Sequence, residues 1–154
     1  MSLLVMLEEA IRIEESVSRC YKIMSLIVPD DNLSRELNRL SLEEKDHANA
    51  LKTGKNYVFK NPDLFGKETI SDDEIRMGIR LVENLIDDLE QKRADLLGGL
   101  KRIRDLEKKF EIVHMTTAVE IKEPFLKRLF ETLSKDDSDH RRRLEDIVLR
   151  YGTY

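Results

Sequence analysis

Apolar residues recur along this chain in steps of three and four. Leu3, Leu7, Ala10, Val17, Tyr21, Met24 and Val28 mark one stripe, and Leu33, Leu37, Leu40 and Leu51 a second. Leu96, Leu100, Ile103, Phe110, Thr117 and Ile121 mark a third, and Leu126, Phe130, Leu133, Leu144, Ile147 and Tyr151 a fourth. This period puts each set on one face of an α-helix, so the chain is expected to be all-α, a bundle of four long helices around a shared core. Each stripe is interrupted near its middle by residues that do not belong in a core: Glu14 in the first, Glu44 and His47 in the second, Glu107 and His114 in the third, Asp137 and His140 in the fourth.

The interruptions are related to one another. LSLEEKDHANAL at Leu40–Leu51 and LSKDDSDHRRRL at Leu133–Leu144 carry their carboxylates and histidine in step. Residues of the first half meet their doubles 93 positions later without a gap: Glu14 and Glu107, Tyr21 and His114, Glu44 and Asp137, His47 and His140. The chain therefore reads as one domain made by tandem duplication of a helical hairpin, the copies lying at about 3–52 and 94–151.

The insert at about 53–93 is different. Thr53–Ile70 holds Gly54, Pro62 and Gly66 with Tyr57, Phe59 and Phe65, and reads as a long crossover loop whose aromatic side chains pack on the bundle. Ser71-Asp72-Asp73-Glu74 is a capping box opening an extra helical segment with Ile75, Ile79, Val82, Ile86 and Leu89 on one face. That face stays in phase with the third stripe, but an unbroken helix from Asp72 to Thr117 would be about 70 Å long, nearly twice its neighbours. A break is expected between Gln91 and Gly99, with Gly98-Gly99 as its place. The exposed or projecting part of the insert is a candidate dimerisation surface, the alternative being simple packing of the insert on its own bundle.

A carboxylate buried in a helical seam costs several kcal/mol unless it is paired or bound to a metal. Here four of them converge with two histidines at similar heights. The i, i+3 spacing of Glu44 with His47, and of Asp137 with His140, puts both members on one helical face. A Glu stands thirty residues before each pair, Glu14 and Glu107. One Glu from each of two helices and a Glu-x-x-His from each of two others is a ligand set for a pair of iron or manganese ions. The candidate metal ligands are thus Glu14, Glu44, His47, Glu107, Asp137 and His140. Four ionised carboxylates carry a charge that two divalent ions cancel and one does not. Mixed oxygen and imidazole donors suit iron first, and are compatible with manganese or zinc.

With this motif the chain resembles the ferritin-like superfamily, and within it the rubrerythrin-like di-iron proteins, over about Leu3–Leu51 and Leu96–Tyr151. The resemblance implies a ferritin-like four-helix bundle in which Glu44 and Asp137 bridge two metals, Glu14 and Glu107 are terminal carboxylates, and His47 and His140 each cap one ion. Tyr21 matches a tyrosine that rubrerythrins often hold beside their metals. His114 fills the same position in the second copy and is either a proton donor to the centre or a hydrogen-bonded core histidine. The chain departs from rubrerythrin in three places. Cys20 is its only cysteine, so it holds no four-cysteine rubredoxin site and needs an external electron donor. Arg104 stands where rubrerythrins carry a further carboxylate. Asp137 is one methylene shorter than the glutamate expected there.

The resemblance implies an oxidoreductase using peroxide or O2, assembled as a homodimer. The alternatives are iron oxidation for storage, as in ferritins, and a bundle whose metals only brace the fold or an interaction surface. Six Gly and three Pro among 154 residues, 38% of them charged, favour solvated helices over sheet. The formal charge of −4 speaks against a nucleic-acid partner. No apolar run reaches membrane-spanning length and no leader pattern precedes the first stripe, so a cytoplasmic protein with no membrane partner is expected. Arg141-Arg142-Arg143 reads as a solvated face offsetting a helix dipole, Cys20 as a small core residue, and Met24 and Met115 as filling rather than haem ligands.

Overall fold

The structure is a computed structural model that describes residues 2–65 and 73–151. The described residues form α-helices: α1 (Leu3–Ile27), α2 (Asp31–Lys60), a single turn α3 (Pro62–Phe65), α4 (Asp73–Glu90), α5 (Leu96–Glu120) and α6 (Pro124–Tyr151). The expected all-α class holds, and none of these helices is long and apolar enough to cross a membrane.

The duplication extends to the helix ends. Ser2 caps α1 by accepting from Val5 N at 3.2 Å, and Asp95 caps α5 by accepting from Gly98 N at 2.7 Å. Both helices stop on the same bond, Val28 N to Met24 O at 3.2 Å and Ile121 N to Thr117 O at 3.1 Å. The return helices are capped by Asp30, accepting from Asn32 N, and by Glu123, accepting from Leu126 N. Within each hairpin a buried serine ties the two helices at one height: Ser41 Oγ donates to Ser18 O and Ser134 Oγ to Glu111 O. Caps and cross-ties of this kind satisfy backbone groups that would otherwise be orphaned, and each contributes on the order of 1 kcal/mol.

α1 packs antiparallel on α2, and α5 antiparallel on α6. The hairpins meet through α2 on α6, where Glu44 faces His140 and Glu36 reaches Arg150, and through α1 on α5, where Tyr21 reaches Glu107. α1 and α6 therefore run one way, α2 and α5 the other. All four stripes face the shared interior, and apart from half-buried Tyr151 every stripe residue is buried. Cys20 lies among them as a fully buried core residue.

α4 lies along α1 and α5 and covers the groove between them. Arg12 pairs with Glu83 and Arg19 with Glu90, so α4 runs parallel to α1; Arg102 with Asp88 and Lys109 with Glu74 set it antiparallel to α5. Ile75, Ile79, Val82, Ile86 and Leu89 are buried, as the periodicity predicts, and they are buried against the chain's own bundle. Gly78 makes the close approach: a Cβ there would lie 2.7 Å from Phe110 Cε1.

Two expectations are corrected. Thr53–Lys60 is not loop but the last two turns of α2. Gly54 is a contact residue rather than a breaker, since a Cβ on it would lie 3.1 Å from Leu129 Cδ2 and 3.2 Å from Leu126 Cδ2 on α6. Continuing the helix turns Phe59 outward, where it is 73 % exposed, while Tyr57 packs edge-on against Phe125 with centroids 5.3 Å apart. Gly66, Ser71 and Asp72, and so the first half of the expected capping box, lie outside the described residues, as does the Phe65 side chain.

The break between α4 and α5 falls inside the expected window but not at the glycines. Lys92, at φ 58°, occupies the left-handed region, with Arg93 N bonded to Asp88 O at 2.7 Å and Lys92 N to Leu89 O at 3.3 Å. This is a Schellman ending in which an Arg93–Asp88 ion pair stands in for the usual apolar contact. Gly98 and Gly99 sit in the first turn of α5, where a Cβ on Gly99 would lie 3.2 Å from both Leu89 Cδ2 and Met24 Sδ. A lysine in the left-handed region is strained by about 1 kcal/mol relative to glycine. Lys92→Gly is expected to stabilise the fold by about that amount, raising the thermal midpoint by ~2–4 °C for a domain of this size, which a calorimetric scan of the two proteins checks.

Candidate metal centre

Glu14, Glu44, Glu107 and Asp137 are each no more than 2 % exposed, and His47, His114 and His140 are buried with them. The helical spacing that buries the leucines buries these groups as well, because they occupy stripe positions on α1, α2, α5 and α6. All six expected ligands come together. They fall into two sets, Glu14, Glu44, His47 and Asp137, and Glu44, Glu107, Asp137 and His140, and within each set one donor atom from every residue lies within 4.8 Å of the others. Glu44 and Asp137 belong to both sets.

Each histidine contacts the glutamate of its own half, Glu14 or Glu107, and both contact Glu44. His47 Nδ1 is 3.3 Å from Glu44 Oε2 and 3.5 Å from Glu14 Oε2; His140 Nδ1 is 2.8 Å from Glu44 Oε1 and 3.5 Å from Glu107 Oε1. The two oxygens of Glu44 thus face different histidines. The imidazole rings stack with centroids 5.5 Å apart and an angle of 19°. On the outer side His47 Nε2 faces Asp136 Oδ2 at 3.0 Å and His140 Nε2 faces Glu43 Oε2 at 3.8 Å. Asp136, at hydrogen-bond distance, holds the proton on the distal nitrogen of His47 and leaves its Nδ1 free to bind a cation, whereas Glu43 is too far from His140 to bond it. Sequence reading passed over Asp136 and Glu43, although both directly precede a ligand and are doubles of each other. Arg143, expected on a solvated face, is half-buried and clamps Glu43 from Nη1 at 2.9 and 3.1 Å, while Arg141 bonds Glu111 and Glu145.

The position shared by Tyr21 and His114 differs between the halves. Tyr21 Oη donates to Glu107 Oε1 at 2.7 Å. His114 Nδ1 lies 2.5 Å from Asp137 Oδ2, and its Nε2 lies 3.6 Å from Glu14 Oε1. Arg104 is turned away from the cluster and bonds the adjacent Asp105.

Crowded charge without water displaces the titrations. Burial, reinforced by Glu44, pushes the Glu14 carboxyl up to about 7. Burial, then the charges of Glu107, Glu14 and Glu44, hold Asp137 well above its usual range. Burial opposes charge on His47 and His140, but their carboxylate neighbours prevail and lift them to about 12 and about 10. Burial keeps the Tyr21 phenol protonated and pushes His114 down. Among the described residues, Glu107 Oε2 is the one buried side-chain polar atom with no hydrogen-bond partner. An orphaned carboxylate oxygen inside a ligand set is what a bound cation would satisfy, so these buried Glu, Asp and His groups fit a metal.

The titrations set the pH response of the metal-free protein. Glu14 and Asp137 bind protons more tightly folded than unfolded, so their contribution falls as pH rises, for Glu14 between 4.5 and about 7. The contribution of His47 and His140 is full below 6.5 and is lost as pH climbs toward about 12 and about 10 respectively. His114, shifted down, opposes this trend as pH passes upward through its folded value toward 6.5. Four groups outweigh one, so the metal-free protein is expected to lose melting temperature between about pH 5 and pH 8, whereas saturating divalent metal, which requires deprotonated ligands, flattens or reverses the slope. Parallel melting curves with and without metal would show that the six residues are not a coupled cation site.

Compared with protein-family models, with curated proteins and with solved structures, the chain finds no significant match in any of the three.

Proposed function

We propose that this protein is a ferritin-like four-helix bundle with a di-metal carboxylate centre, most consistent with a pair of iron ions, that carries out redox chemistry with peroxide or O2. The observation that carries this reading is the sharing of Glu44 and Asp137 between two otherwise separate ligand sets, each completed by its own glutamate and histidine. One ion would leave half of the carboxylates uncompensated in a dry interior; two divalent ions neutralise all four. Glu44 and Asp137 would bridge, Glu14 and Glu107 would be terminal, and His47 and His140 would each bind through Nδ1.

When bound, a redox-active pair supplies two electrons to an O–O bond, and an external donor restores them. The chain's own residues prepare for that chemistry. Asp136 orients the His47 imidazole. Tyr21 steadies Glu107 through its hydroxyl and keeps its proton beside the centre. The leucine and phenylalanine layers above and below exclude water, which strengthens every charge interaction inside.

Iron-reconstituted protein is expected to hold two ions per chain, and His47→Ala to lose at least one of them, as read by elemental analysis. One ion or fewer in the wild type, unchanged in the variant, would overturn the di-metal reading. In stopped-flow oxidation of the reduced centre, peroxide is expected to react faster than O2, with the protein sedimenting as a small oligomer such as a homodimer. Faster reaction with O2 combined with a shell-sized assembly would instead identify iron storage.

A further inference from the structure

Away from the metal centre, α5 carries three exposed apolar side chains in succession. Ile112 is 60 % exposed, Met115 46 % and Val119 71 %. Steps of three and four set them in one line on the outward side of the helix, opposite its buried stripe and within two turns. Apolar residues scattered singly over a surface need no explanation, whereas a contiguous group rimmed by charge marks a contact site. The rim here is Asp105, Lys108 and Lys109 toward the N-terminal end of α5, and Glu120 and Glu123, with Lys122 between them, at its C-terminal end.

The duplication supplies an internal comparison. Ile112 and Met115 have their doubles in Arg19 and Lys22 of α1, which bond Glu90 of α4 and Asn38 of α2. Position 119 is apolar in both copies, its double being Leu26. The middle of this outward face is thus charged in one copy and apolar in the other, so the scaffold itself does not call for Ile112 and Met115. The surface beside Ile112 is also concave. Ile75 of α4 and Val113, Thr116 and Thr117 of α5 line an open groove of about 410 Å³ there. Met77 and Leu81 on α4 and Leu149 on α6 are exposed on either flank, and Leu81 and Leu149 both border Asp105.

We propose that this face is the interface of a homodimer, in which α5 packs antiparallel on α5 of a second copy about a twofold axis passing near Met115 and Thr116. The proposal deepens the small-assembly reading above by naming its surface, and it needs no metal. A twofold contact presents one patch to itself, so the patch must be its own complement. Reversal of the second helix achieves this. It lays Ile112 of one copy opposite Val119 of the other and brings Lys108 and Lys109 level with the end that holds Glu120 and Glu123. A parallel pairing would instead set like charge against like at both ends. Lys101 to Glu120 is about 30 Å of helix, and a helix presents a strip about 10 Å wide, so α5 alone offers ~300 Å². A stable dimer buries about 800 Å² on each partner. The contact therefore extends over the flanking Met77, Leu81 and Leu149.

Sedimentation velocity over a range of protein concentrations, together with cysteine cross-linking, tests this. The wild type is expected to sediment as a concentration-dependent dimer. Val119→Glu is expected to weaken that dimer by about tenfold or more while leaving helical content and metal content unchanged. Met115→Cys, close to the axis, is expected to give a disulfide-linked dimer on mild oxidation, and Lys22→Cys, at the doubled position, is not; Cys20 is buried and takes no part. A wild type that stays monomeric at every concentration while holding two metal ions would overturn this proposal alone and leave the face to a different protein. A dimer indifferent to Val119→Glu and not cross-linked through position 115 would also overturn it, placing the interface elsewhere. A dimer with the expected responses that binds no metal would support this proposal and overturn the di-metal reading.

Discussion

Four carboxylates held in a seam from which leucine and phenylalanine exclude water are the constraint that the rest of this structure answers to. A buried carboxylate is tolerated only when something positive or hydrogen-bonding faces it. Here each faces an imidazole: Glu14, Glu44 and Asp137 on one side of the cluster, Glu44 again and Glu107 on the other. The histidines, lifted well above their ordinary range, and Glu14, pushed up to about 7, show how the protein resolves that crowding in the absence of a cation, by holding protons. The solution is incomplete, since Glu107 Oε2 has no partner. An apolar cluster of equal volume would be no less stable, so a polar core carried through both repeats is better understood as a site than as a stabilising device.

The scaffold supplies the positioning. Because both hairpins repeat the same caps and the same serine cross-ties, their ligands arrive at one height, and the two histidines stack across the seam. α4 closes the groove between α1 and α5 with a continuous apolar face and an edge of ion pairs. Surface pairs of this kind contribute only about 0–1 kcal/mol each; the buried isoleucine, valine and leucine side chains of α4 contribute about 1.5–3 kcal/mol apiece and dominate its attachment. The insert therefore serves its own bundle as a fifth wall, and its buried face is not available for dimerisation.

Symmetry in the fold is not symmetry in the chemistry. The backbone places positions 21 and 114 equivalently, yet one carries a phenol bonded to Glu107 and the other an imidazole between Asp137 and Glu14. The bridging positions differ in the same sense, Glu44 against Asp137. The two differences share one half of the duplication, which is why they are best understood together.

Periodicity alone located every core stripe, the duplication and the six clustered residues, because a helical repeat forces residues three and four apart onto one face whatever surrounds them. It also located the window of the break before α5. It did not locate the break itself: Gly98 and Gly99 read as breakers, whereas Asp95 caps them into a helix and the turn is made by Lys92 through bonds to α4 carbonyls. Gly54 misled in the same way, since its smallness serves the approach of α6 from far along the chain rather than a local bend. The outer carboxylates Asp136 and Glu43 were visible as repeated acids, but only the packing of α2 against α6 aims each at the histidine of the other helix. Local pattern determines which face of a helix is buried; which residue on one buried face meets which on another is decided by how the helices cross, and that is set by contacts between residues distant in sequence.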